Sequence, residues 1–166
     1  MSPSEPVIRD MVPADWKAVA RIYGEGISSG NATFETGVPD WPEWDEAHHR
    51  RCRLVAVDGE HVLGWAALGP ISKRPVYGGV AEASIYVSES ARGSGVGSRL
   101  LSTLIQCSEQ AGFWTLQAGI FPENEPSIRL HRRHGFRLVG NRERVGRLGD
   151  VWRDVLLLER RSEIVG

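Results

Sequence analysis

Two features of this 166-residue sequence have the residue types and spacing for chemistry. One is the glycine-rich segment Arg92-Gly93-Ser94-Gly95-Val96-Gly97-Ser98; the other is a carboxylate, Glu82, upstream of it. Glycines at 93, 95 and 97 clear side chains from the approach to an apolar-periodic helix. The first N–H groups of a helix have no intrahelical partner, and its dipole adds partial positive charge, so such a start can cradle a diphosphate. The alternative is a tight turn that packs closely and binds nothing. A P-loop would need Gly-Lys-Ser/Thr, which is absent, and the segment runs G-x-G-x-G where a dinucleotide fingerprint runs G-x-G-x-x-G. Glu82 lies between Ala81 and Ala83 on a strand-like run, where partial desolvation would raise its pKa and fit it to accept a proton. The competing reading is an ordinary solvent-facing glutamate of an alternating strand.

The elements that must position these groups read as mixed α/β. A short strand over 7–9 precedes a helix opened by Pro13-Ala14-Asp15 and continued through Trp16, Val19, Ile22 and Tyr23, with Gly24 and Gly26 weakening its end. A loop over 30–42 carries Phe34, and a short polar helix is expected over 43–50. Strands over 53–57 and 61–68 flank Asp58-Gly59-Glu60, a hairpin signal. Ala81, Ala83, Ile85 and Val87 alternate with Glu82, Ser84 and Tyr86 as in a strand. A helix is expected over 94–111, a strand over 115–120, a helix over 126–134, and final strands over 136–139 and 151–158. About seven strands and four helices form a single domain, with about 7–160 structured.

Composition narrows the functional classes. Twenty Lys plus Arg against twenty-one Asp plus Glu leave a net charge of -1, so no global basic excess draws the chain to nucleic acid or acidic lipid. No segment has the length and apolarity of a membrane span, and the N-terminus lacks a signal-peptide pattern. Cys52 and Cys107 are too few and too distant in sequence for a disulfide framework, which favours a reducing cytoplasm. His131-x-x-His134 has metal-ligand spacing, but the sequence offers no third or fourth ligand, so no metal is expected.

The form R-x-x-G-x-G, here Arg92-Gly93-Ser94-Gly95-Val96-Gly97, closely resembles the pyrophosphate-binding motif of GCN5-related N-acetyltransferases. The resemblance extends over nearly the whole chain, including Asn124 to His131 and Gly135-Phe136. Ala32-Thr33-Phe34-Glu35, the run 81–88 and Gly149-Asp150-Val151-Trp152-Arg153-Asp154 resemble stretches of the phosphinothricin and methionine sulfoximine acetyltransferases. The resemblance implies that family's fold, a mostly antiparallel mixed sheet flanked by helices. It also implies acetyl-CoA as co-substrate, bound by Arg92 to Ser98, by the backbone around Ile85, Tyr86 and Val87, and by Asn124 and Ser127. It points to Glu82 as general base and to a homodimer. Asn124 and Ser127 equally suit helix capping. His131 stands where many members carry a Tyr as thiolate acid, and the acid is left unassigned.

An amino-acid-like acceptor would need a cation for its carboxylate or phosphinate, and Lys73, Arg74 and Tyr77 supply two cations beside an aromatic; a solvated loop is the alternative. Phe34 matches a substrate-pocket aromatic of the resembled subgroup or serves as a core anchor. The leading expectation is N-acetylation of the α-amine of phosphinothricin, methionine sulfoximine or methionine sulfone. A protein N-terminus or other amine metabolite is a second acceptor class, and a non-catalytic acyl-CoA-binding module is the rival.

Overall fold

The computed structural model describes residues 5–166, leaving the first four residues of the N-terminal reading outside it. Seven strands form one sheet in the order β1-β2-β3-β4-β5-β7-β6. They are β1 (Val7–Asp10), β2 (Leu54–Asp58), β3 (His61–Pro70), β4 (Val80–Val87), β5 (Thr115–Ile120), β6 (Arg137–Leu148) and β7 (Val151–Arg161). Four α-helices flank it: α1 (Trp16–Ser28), α2 (Trp41–Ala47), α3 (Val96–Gln110) and α4 (Glu125–Arg133). Every pairing is antiparallel except β4 with β5, so the mixed α/β expectation and its element counts hold.

The central strands are covered on both faces by helices whose apolar stripes follow from sequence. Val96, Leu100, Leu101, Leu104 and Ile105 of α3 recur at helical spacing and pack on Leu54, Ala66, Leu68, Ala81 and Ala83, with Ile128 and Leu130 of α4 at the margin. On the opposite face, Val19, Ile22 and Tyr23 of α1 and Trp44 of α2 pack on Val55, Trp65 and Ala67. Strands β2 to β4 therefore carry apolar side chains on both faces.

Three local differences from the sequence reading have physical causes. Helix α1 runs through Gly24 and Gly26 to Ser28, because a side chain at 26 would meet the Tyr86 ring at 2.7 Å and its absence lets β4 pack close. Strand β6 runs to Leu148, well past its expected end at 139, and with β7, which starts at Val151 as expected and ends at Arg161, forms a long hairpin, since the outer part of β6 gains pairing from β7 rather than from β-branched residues. The third corrects the cysteine expectation. Fifty-five residues separate Cys52 and Cys107 in sequence, yet their Cα atoms lie 5.7 Å apart and the two form a disulfide linking the segment before β2 to α3. The inference of a reducing compartment loses its support. Among the described residues no helix is long and apolar enough to cross a membrane.

Candidate active site

Strands β4 and β5 pair only over three positions, Val80 with Thr115, Ala81 with Leu116 and Glu82 with Gln117. Beyond them β4 continues to Val87 alongside β3, but its β5 side has no paired strand, and β5 turns to β7 instead. The fork opens a cleft of about 880 Å³. Glu82 stands at the crotch of the fork, on the last rung, and lines the cleft with Ser84, Ile85 and Tyr86. Its side chain is open to cleft water, yet the protein mass around it makes ionisation costlier and raises its pKa above the usual carboxylate range. Tyr86 stacks with Tyr23 at 4.9 Å and Trp65 at 4.8 Å, and burial pushes its phenol pKa up, so the ring is a neutral wall.

The glycine-rich segment leads from β4 into α3. Gly93 and Gly95 take φ of +75° and +87°, a left-handed region that side chains disfavour, and nothing lies within 4 Å of where a Cβ would sit. The first intrahelical bond of α3 runs from Arg99 N–H to the Gly95 carbonyl, leaving the amides of Val96, Gly97 and Ser98 ahead of it at the dipole's positive end. Arg92, Gly93, Ser94 and Gly95 are exposed, whereas Val96 and Val87 turn their side chains to the core. These open amides and the small-residue approach fit a diphosphate.

Asn124 caps α4, its side chain accepting from Ser127 N–H at 3.4 Å, and also donates to the Asn31 carbonyl at 3.2 Å; both residues line the cleft. His131, one turn on, is 4% exposed. Its Nδ1 lies 2.7 Å from the Ser127 carbonyl, which fixes the proton on Nδ1 and leaves Nε2 a buried acceptor without a protein partner among the described residues. Burial lowers its pKa, which favours the neutral ring. His134 likewise spends Nδ1 on the Leu130 carbonyl at 2.8 Å, and no metal-binding group occurs among the described residues.

Phe34 reaches the cleft from the α1–α2 loop. It meets Phe121 edge-on at 4.9 Å and covers Gly146, where a Cβ would stand 2.7 Å from the ring. Lys73, Arg74 and Tyr77 are not brought together with these residues. They lie on the exposed β3–β4 loop, Arg74 over the Tyr77 ring at 5.6 Å, outside the cleft lining that their loop leaves at Ile71. From this segment the cleft takes Gly69, Pro70 and Ile71, and none of the three expected side chains is among its lining residues.

Sequence reasoning missed several lining residues: Tyr23, Gln117, Phe121 and Arg142. It also missed Arg153, which spans three segments by donating to the Gly30 carbonyl at 2.9 Å, Asn31 Oδ1 at 2.9 Å and Glu123 Oε2 at 3.1 Å while stacking 4.1 Å from the Phe121 ring centroid. The likeness of 149–154 to the resembled subgroup was the one signal pointing to it.

The forked parallel pair opens a cleft, and the glycine-lined helix start that follows β4 presents open amides that suit an anionic ligand. Residues 16–136 match the Acetyltransferase (GNAT) family, and the chain belongs to that family of enzymes. It is 36% identical to phosphinothricin N-acetyltransferase of Streptomyces coelicolor, covering 95% of this chain and 96% of the relative. It is 32% identical to the L-methionine sulfoximine/L-methionine sulfone acetyltransferase of Pseudomonas paraeruginosa, covering 92% of each. The structure of a GNAT superfamily phosphinothricin acetyltransferase from Sinorhizobium meliloti in complex with AcCoA superposes with a TM-score of 0.85 at 32% identity, over 95% of this chain and 89% of that one.

Proposed function

We propose that the chain transfers acetyl from acetyl-CoA to the α-amine of a small amino-acid-like acceptor, such as phosphinothricin, methionine sulfoximine or methionine sulfone, with Glu82 as general base. The observation that carries the reading is the position of Glu82 at the fork, where the free edge of β4 meets the pocket walled by Phe34 and Phe121. The amides of Val96, Gly97 and Ser98, with Arg92, suit the cofactor's diphosphate, and the unpaired backbone of Ile85, Tyr86 and Val87 suits its pantetheine arm. Asn124 and Ser127 flank the same channel.

Within such a complex Glu82 takes the ammonium proton, directly or through water, freeing the nitrogen lone pair. The N–C bond forms as the C–S bond breaks, the sulfur leaves with its electron pair, and the remaining extra proton on nitrogen passes, directly or through water, to that thiolate, giving the neutral amide and CoA thiol. Backbone N–H groups on the free edge of β4 stabilise the developing oxyanion. Lys73, Arg74 and Tyr77 retain an outer role, at the entrance from which their loop departs.

Release of free CoA thiol, followed across the three amino-acid acceptors and an N-terminal peptide panel, tests the reading. Turnover confined to the amino acids is the expected outcome. Turnover of peptides alone moves the acceptor to protein N-termini, and tight acetyl-CoA binding with no turnover leaves a binding module.

A homodimer completes the proposal. Leu138, Val139, Val151 and Trp152 are exposed along the β6–β7 hairpin, with Trp152 50% accessible, and burying them against a second copy would remove that apolar surface from water. Sedimentation as a monomer throughout the working concentration range would overturn it.

A further inference from the structure

Arg142, on β6, is the only Lys or Arg among the described residues that line the cleft. Its guanidinium has no hydrogen-bond or ion-pair partner among the described residues, whereas the nearby Arg153 is fully engaged. The remaining basic groups of the lining, His48 and His131, are both held toward the neutral form by burial. Three carboxylates, Glu35, Glu43 and Glu82, share the lining with this one fixed positive charge.

Strand register places it on the cleft face. Arg142 pairs with Val155, a cleft-lining residue on the same face, and is the last β6 residue in register before an irregularity that ends at Gly146, opposite Arg153. Asp154 fastens that bulge, accepting from Arg144 N–H at 2.8 Å and Asn141 Nδ2 at 3.1 Å, while Arg144 takes a φ of 46°. The bulge bends β6 just beyond Arg142, while Arg142 itself keeps the regular register that sets it on the face of Val155.

Position selects which anion Arg142 meets. In the order β4-β5-β7-β6, three strand intervals of roughly 4.8 Å separate its strand from that of Glu82. An α-carboxylate adjoins the reacting amine and so stays close to the base that deprotonates it, whereas only a group at the end of the acceptor's side chain has the reach to span toward β6. We propose that Arg142 binds a distal anionic group of the acceptor, a side-chain phosphinate or carboxylate, and so sets a preference for glutamate-like over neutral methionine-like acceptors. The proposal rests on the amino-acid N-acetyltransferase reading and assigns a specificity-determining residue within it.

The test compares phosphinothricin with methionine sulfone, whose distal group is neutral, in wild type, Arg142→Met and Arg142→Lys. Arg142→Met is expected to raise KM for phosphinothricin by about 10- to 100-fold, the weight of a lost charge-assisted hydrogen bond. KM for methionine sulfone and for acetyl-CoA should change less than about threefold, and Arg142→Lys should recover part of the loss, since lysine keeps the charge without the planar fork. Equal effects on both acceptors, or none, would overturn the assignment. Calorimetric titration of phosphinothricin into the same proteins separates the two layers. Binding that weakens in Arg142→Met without turnover in wild type sinks the transferase reading and keeps the anion site; wild type that neither binds nor turns over phosphinothricin sinks both.

Discussion

In Glu82→Gln protein, acetyl transfer to the preferred amino acid should fall by about 10²- to 10⁴-fold in kcat, the usual weight of a positioned general base, with KM for acetyl-CoA unchanged. The pH profile is the sharper readout. The protein mass around the water-exposed Glu82 raises its pKa, so the acid limb of wild-type kcat/KM should lie above the ordinary carboxylate range, with activity rising as the carboxyl ionises. Glutamine has no such ionisation, so that limb should disappear. Stability should move the other way. A carboxyl whose folded pKa is raised contributes stability that is present below its unfolded pKa and is lost as the pH rises through the folded value. At neutral pH the substitution therefore removes an ionisation cost, and thermal midpoint should not fall. A wild-type rate in Glu82→Gln, or an acid limb that survives in it, would exclude this carboxylate as the base.

How much of this was legible beforehand follows from which interactions are local. The α3 stripe, the Asp58-Gly59 hairpin turn and β5 over Thr115–Ile120 are written in spacing and turn chemistry, which neighbouring residues determine among themselves. The glycine segment was legible because open amides at a helix start require small residues. By contrast, the Cys52–Cys107 link depends on how α3 lies across β2, and sequence distance says nothing of that. Arg142 was hidden for a related reason. It belongs to a run, Arg142-Glu143-Arg144, that reads as a solvated face, and only the β6 pairing and its bulge show that one of these charges borders the cleft. Arg74 was the reverse case: a cation beside an aromatic has the right chemistry, but the path of the β3–β4 loop decides where it ends up.

The fork itself hangs on a contact that a single methyl group would break. Gly79 precedes β4, and its carbonyl accepts from Trp114 N–H at 2.8 Å and Thr115 N–H at 3.2 Å, tying the start of β5 to the start of β4. A Cβ at 79 would fall within the Trp114 indole, so either the ring must swing out or the peptide must move. Overpacking of this kind costs about 1–3 kcal/mol, and for a chain of this size each kcal/mol lowers Tm by about 2–4 °C. Gly79→Ala should therefore melt roughly 2–12 °C below wild type. Because only three rungs hold β4 to β5 and Glu82 sits on the third, a shift at Gly79 has little sheet in which to dissipate, and kcat should fall with Tm. Removing the ring in Gly79→Ala/Trp114→Ala should cost less than the sum of the two single substitutions, since the methyl then occupies vacated space. Strict additivity in that cycle, with Gly79→Ala melting at the wild-type temperature, would mean that the indole yields freely and that the fork is held elsewhere.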